Sequence, residues 1–205
     1  MERIAVFGGT FNPIHNGHIH LAKSFAKALH IDRLLVIPTN SPPHKAAPDL
    51  APAADRLAMC RAACRREGFE VSDMEIRRGG PSYTAVTLRE LKKLCPDSEL
   101  FLITGEDMFV TLADWKEPQT IFSLATVCAS PRSRGGRDAL RRCAAKLQKL
   151  GAKTYLADFH YLPVSSTMVR EAVRKGKSIS GLVPEPVERY IREKKLYLEE
   201  MGNGI

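Results

Sequence analysis

Gly8-Gly9-Thr10-Phe11-Asn12-Pro13-Ile14-His15-Asn16-Gly17-His18 follows directly on the apolar run Ile4-Ala5-Val6-Phe7, and an amphipathic stretch continues from about Gly17 to Leu29. Strand, tight loop and helix therefore occur in that order. Paired glycines let the backbone come close to a ligand, the first N–H groups of a helix lack intrahelical partners, and the helix dipole adds partial positive charge at that end. This is the layout of an anion site, with His15 and His18 beside the anion. Other glycine loops fit less well. No G-x-G-x-x-G follows a strand, and a P-loop ending at Gly176-Lys177-Ser178 needs a glycine at position 171, where the chain has Glu171.

His15-Asn16-Gly17-His18 has the (H/T)xGH form, and the longer string GGTFNPIHNGH resembles the nicotinate-nucleotide adenylyltransferase family of the nucleotidyltransferase superfamily. The resemblance implies transfer of the adenylyl group of ATP to nicotinate mononucleotide, giving nicotinic acid adenine dinucleotide and pyrophosphate, a step in NAD synthesis that uses Mg2+. It makes His15 and His18 the catalytic pair. It assigns Gly8, Gly9, Thr10 and Phe11 to the phosphates of ATP.

Further along, Arg33-Leu34-Leu35-Val36-Ile37 reads as a buried strand, and Pro38 to Pro52 as a proline-rich loop. Within that loop, Pro42-Pro43 stiffens the chain ahead of His44-Lys45, which lowers the cost of ordering a lysine against phosphate. By resemblance Lys45 contacts the ATP phosphates. A helix is expected from Asp55 to Glu67 with Leu57, Cys60 and Cys64 on one face, then a strand near Phe69 to Ser72. The turn Gly79-Gly80-Pro81-Ser82-Tyr83-Thr84 opens a helix from about Ala85 to Leu94 that must stop before Pro96. Ser82-Tyr83-Thr84 with Thr87-Leu88 resembles the family's SYTxDTL element, but Val86 stands where that pattern has aspartate.

Leu100-Phe101-Leu102-Ile103-Thr104 is a continuous apolar strand ending at Gly105-Glu106-Asp107, similar to the family's G-x-D. A carboxylate at that place can accept two hydrogen bonds from a ribose diol, which makes Asp107 a candidate ribose acceptor. The resemblance implies that Gly105 and Asp107, together with Tyr83, Thr84 and Trp115, bind ribose and nicotinate. The lone Trp115 is a core residue on general grounds and a ligand platform on the resemblance. Ala125 to Ala129 and Lys153 to Leu156 are further strands, separated by a basic helix from about Arg137 to Leu150. Val164-Ser165-Ser166-Thr167-Met168-Val169-Arg170 closely resembles the superfamily's ISSTxxR signature. Ser165, Ser166 or Thr167 can cap the next helix and leave N–H donors for phosphate, with Arg170 one turn on.

Strands alternating with helices imply an α/β fold, Rossmann-like, with a mostly parallel sheet and helices on both faces. Ligands of such sheets bind beyond the carboxyl ends of the strands. One nucleotidyltransferase domain over 1–205 is expected, with a helical extension from about residue 160 that carries the SSTxxR element. Its SIRYLVP segment reads Ser178-Ile179-Ser180-Gly181-Leu182-Val183-Pro184 here, replacing a basic and an aromatic residue.

Composition sets the outer limits. With 44% hydrophobic and 26% charged residues the chain is of ordinary globular type, and no window reaches the ~20 apolar residues of a membrane span. A cytoplasmic location follows as the expectation. Cys60, Cys64, Cys95, Cys128 and Cys143 form no C-x-x-C pair and read as reduced core thiols. The net charge of +8 is concentrated in Arg132, Arg134, Arg137, Arg141, Arg142, Lys146 and Lys149, against Asp138 alone. That stretch has no aromatic residue to stack on bases, so it reads as a solvated basic face near phosphate-rich substrates. The expected partners are ATP and nicotinate mononucleotide, with no nucleic acid and no membrane, and homo-oligomerisation is left open. No carboxylate cluster is present in the motifs, so the metal is expected to be held by ATP oxygens and water and not by a protein site.

Overall fold

The computed structural model describes residues 1–41, 49–132 and 134–198. Its frame is a sheet of strands β1 (Arg3–Gly9), β2 (Arg33–Pro38), β3 (Glu70–Val71), β4 (Glu99–Thr104), β5 (Ala125–Ala129) and β6 (Lys153–Leu156). They lie in the order β3-β2-β1-β4-β5-β6, and every neighbouring pair is parallel. Parallel strands need crossovers, and the crossovers here are helices α1 (Asn16–Ala28), α2 (Ala53–Cys64), α3 (Met74–Arg78), α4 (Thr84–Leu94), α5 (Glu106–Val110), α6 (Pro118–Leu124) and α7 (Arg134–Lys149). Helices α8 (Ser166–Arg174) and α9 (Glu185–Glu193) follow.

Because helices cover both faces, the strands are apolar at successive positions rather than at alternate ones. In β1, Ala5 and Phe7 face a layer with Ile19, Phe25, Met59 and Cys60. Ile4 and Val6 face the other layer, with Leu88, Phe109, Ile121 and Leu140. The C-terminal helices bury Val169, Val187 and Ile191 in the first layer.

The expected Rossmann-like fold is therefore present. The helix expected over Asp55–Glu67 ends as α2, followed by a 3-10 turn over Arg65–Glu67 and then Gly68 at φ 71°, where a Cβ would be strained. Helices α3, α5 and α6 have too few turns for a hydrophobic period to reveal them. Among the described residues no helix is long and apolar enough to cross a membrane, and all five cysteines are free. Strand order reverses between β1 and β4, the place at which sheets of this kind bind ligands in a crevice beyond the strands' carboxyl ends.

Candidate active site

The loop after β1 is shaped by one inward-turned side chain. Phe11 takes φ 47° and buries its ring edge-on to Phe7 at 5.4 Å and to His18 at 5.1 Å. A Cβ on Gly9 would lie only 3.0 Å from that ring, so glycine is required there by close approach. Phe11 is 3% exposed, which leaves its main chain as the part able to meet a phosphate. Gly8 is exposed at the end of the strand, and Thr10 is half-buried.

His15 caps α1, and its backbone N–H donates to Nδ1 of His18 at 3.2 Å. The two rings stack with centroids 3.6 Å apart. Gly17, between them in sequence, passes so close that a Cβ would meet the His15 ring at 3.1 Å and the Val164 carbonyl at 3.3 Å. Burial, with Arg132 adding to it, pulls the His15 pKa down from 6.5 to about 4. Burial, then the neighbouring His15 and Arg132, also holds His18 well below its ordinary value. Both rings are thus neutral near pH 7. With Nδ1 of His18 accepting a hydrogen bond, the proton of the neutral ring is assigned to Nε2, which becomes a donor for a ligand oxygen. Nδ1 of His15 is buried without a partner.

The start of α8 is brought against this loop. Ser165 caps the helix by accepting from the Met168 N–H at 3.2 Å, Ser166 Oγ donates to the Pro13 carbonyl at 2.8 Å, and Arg170 Nη1 donates to the Asn12 carbonyl at 2.8 Å. Thr167 Oγ1 lies 3.5 Å from Arg170 Nη2, and Arg170 Nε is buried with no hydrogen-bond partner. Asn12 is a hub that the sequence does not announce. Its Oδ1 accepts from the Ala51 N–H and the Tyr197 hydroxyl, and its Nδ2 donates to the Asp49 carbonyl. Lys45 lies outside the described residues.

On the β4 side, Gly105 caps α5 and Asp107 pairs with Arg132 at 2.7 Å, while the Arg132 N–H donates to Glu106 at 2.6 Å. Arg132, which bears electrostatically on both histidines, joins this half of the crevice to the other. The one signal the sequence carries for it is its place just past the carboxyl end of β5, at the head of a basic run that masks it. Tyr83 caps α4, whose first residue is Thr84, and Lys116 places its ammonium 4.3 Å from the Tyr83 ring centre, next to half-buried Trp115. The Trp115 Nε1–H donates to Thr111 Oγ1 at 3.3 Å. Beneath α4, buried Glu75 accepts from Thr87 Oγ1 at 2.5 Å and Arg78 pairs with Glu90 at 2.8 Å. Burial raises the Glu75 pKa above its ordinary value. Neither Arg78 nor Thr87 is left without a carboxylate partner by Val86.

Arg56 is the other residue the motifs leave out. It is 0% exposed and donates to the carbonyls of Thr10, Thr39, Asn40 and Ala51. Its place at the head of the stripe that continues with Cys60 and Cys64, a cation in an apolar row, is the signal that marks it.

The cytidylyltransferase-like family model matches residues 6–172. The chain is 41% identical over 217 residues to a probable nicotinate-nucleotide adenylyltransferase of Desulfatibacillum aliphaticivorans, covering 96% of this chain and 100% of that protein. It is 40% identical over 199 residues to a protein of the same description from Synechococcus sp. (strain JA-3-3Ab), covering 97% and 96%. In structure it is similar to the Plasmodium falciparum nicotinic acid mononucleotide adenylyltransferase complexed with NaAD, with a TM-score of 0.79 over 96% of this chain and 98% of that one, at 19% identity. The last comparison speaks for the fold alone.

Proposed function

Since this chain belongs to the cytidylyltransferase-like family, and to the nicotinate-nucleotide adenylyltransferases within it, we propose that it joins ATP and nicotinate mononucleotide into nicotinic acid adenine dinucleotide with release of pyrophosphate. An oxygen of the mononucleotide phosphate attacks the α-phosphorus of ATP. The bond from that phosphorus to the bridging oxygen of the β-phosphate breaks, and pyrophosphate leaves with the electron pair. No protein nucleophile is needed, so the protein contributes alignment and donors placed where charge develops.

The observation that carries this reading is the stacked, neutral pair His15 and His18 at the start of α1, beside the Gly8-Gly9 mouth and the braced start of α8. His18 Nε2–H is the donor to the α-phosphate or the bridging oxygen, with His15 alongside. Arg170 and Lys45 serve the outer phosphates, together with main-chain donors of Gly8 to Phe11 and of the Ser165-Ser166-Thr167 turn. Asp107 takes the ribose hydroxyls, and Tyr83, Thr84 and Trp115 receive the pyridine ring. The described residues include no group of three or more His, Cys, Asp or Glu side chains fit to hold a metal. Mg2+ brought in with ATP would supply charge neutralisation to the departing pyrophosphate, and Arg170 and Lys45 would act on the same charge from the protein. The place of work is the cytoplasm, and the partners are these nucleotides and not nucleic acid.

The test is pyrophosphate release from ATP with a panel of nicotinate mononucleotide, nicotinamide mononucleotide and pantetheine phosphate. Nicotinate mononucleotide should be the best acceptor and yield the dinucleotide. Release with pantetheine phosphate alone, or with none of the three, overturns the assignment.

A further inference from the structure

The segments that carry the two halves of the crevice meet at one side chain. The Arg56 guanidinium, buried in α2, donates from Nη1 to the carbonyls of Thr10 at 2.9 Å and Thr39 at 2.7 Å, from Nη2 to Asn40 at 2.8 Å, and from Nε to Ala51 at 3.0 Å. Thr10 lies in the loop after β1. Thr39 and Asn40 follow β2 and are laced to the turn ahead of α4. The Asn40 N–H donates to Ser82 Oγ at 2.9 Å, its side-chain amide donates to the Gly80 carbonyl at 3.0 Å, and the Ser82 N–H donates to the Ser41 carbonyl at 3.0 Å. The fork thus holds the anion loop to the exit of β2, and Asn40 and Ser41 carry the connection on to the entrance of α4. A buried cation is costly unless its donors are satisfied, and all four of these partners are main-chain carbonyls rather than a carboxylate. The apolar row that Arg56 heads has no packing need for a charge, so its presence is explained by what the fork holds together.

We propose that Arg56 is a positioning residue for adenylyl transfer, fixing the separation of the anion loop that receives ATP from the α4 entrance that receives the mononucleotide. The proposal rests on the function assigned above. It acts through main-chain carbonyls and touches neither substrate. A planar fork of N–H donors can hold carbonyls on separate segments at once, whereas an ammonium is a point from which donors radiate. Misplacing reactants by about 1 Å costs on the order of 100-fold in rate.

The experiment compares the parent with Arg56→Lys and Arg56→Ala, the latter also in millimolar guanidinium. The expected result is a kcat ~100-fold lower in both variants, with KM values for ATP and nicotinate mononucleotide close to parental. Guanidinium should restore much of the turnover of Arg56→Ala, and methylammonium should not. Amide exchange adds a readout independent of turnover. Protection at Asn40 and Ser82 should fall together in Arg56→Lys, which retains the charge and stands in if the alanine variant does not fold. Parental kcat in Arg56→Lys, or loss confined to one KM, overturns the proposal. An inactive parent overturns the assigned reaction instead, and unchanged exchange at Asn40 and Ser82 then overturns the clamp as well.

Discussion

The Lys116 ammonium stands 4.3 Å from the centre of the Tyr83 ring, at the cap of α4 and one residue beyond Trp115. On the proposed placement of the pyridine ring at Tyr83, Thr84 and Trp115, this cation and the positive end of the α4 dipole favour an anionic substituent on the ring. Charge-assisted hydrogen bonds contribute ~1.5–3 kcal/mol. Nicotinate mononucleotide should therefore exceed nicotinamide mononucleotide in kcat/KM by about 10- to 150-fold, and Lys116→Ala should narrow the ratio. Steady-state kinetics with both mononucleotides at saturating ATP measures it. Equal efficiencies would remove acid selectivity while leaving the adenylyl chemistry in place.

His18→Ala should lower turnover ~100- to 1000-fold, the usual effect of removing one donor aimed at developing charge. ATP affinity should change far less, since the donor acts mainly in the transition state. Turnover near the parental value would take His18 out of the mechanism.

The depressed pKa of His15 couples folding to pH. The unfolded chain takes up a proton near 6.5 while the folded chain resists until about 4, so the unfolded state binds more protons in that window and stability falls as pH falls through it. Below about 4 the folded ring protonates too and this contribution to the slope ends. At 1.36 kcal/mol per unit the total is roughly 3 kcal/mol. Urea midpoints between pH 7 and 4 should decline more steeply in the parent than in His15→Gln, and parallel curves would disprove the linkage.

Arg170 has an unpartnered, buried Nε beside the loop that it braces. Arg170→Ala should raise the KM for ATP by about 10- to 150-fold, the scale of a lost charge-assisted hydrogen bond. The KM for the mononucleotide should move little. A change confined to the mononucleotide would exchange the two ends of the crevice.

Most of the frame is readable from local pattern, because Ile4 to Phe7, Leu34 to Ile37 and Leu100 to Ile103 are continuous apolar runs that only a doubly covered sheet explains. His15, Gly17 and His18 are equally legible, since they depend on spacing within one turn. Asn12, Arg56 and Arg132 are harder to read. Their roles arise from partners distant in sequence, such as Tyr197 for Asn12 and Asp107 for Arg132, and hydrogen bonds to main-chain carbonyls leave no mark on residue type. The basic run beginning at Arg132 hides one crevice residue among solvated ones.

Asn12 also ties the loop after β1 to parts of the chain far away in sequence. Its Oδ1 accepts from the hydroxyl of Tyr197, its carbonyl from Arg170, and the Asn16 N–H donates to the carbonyl of Leu182. The sheet is held by its own strand pairs, but the loop is fully braced only with Tyr197 in place, so a truncation ahead of Tyr197 should keep the frame and loosen the mouth.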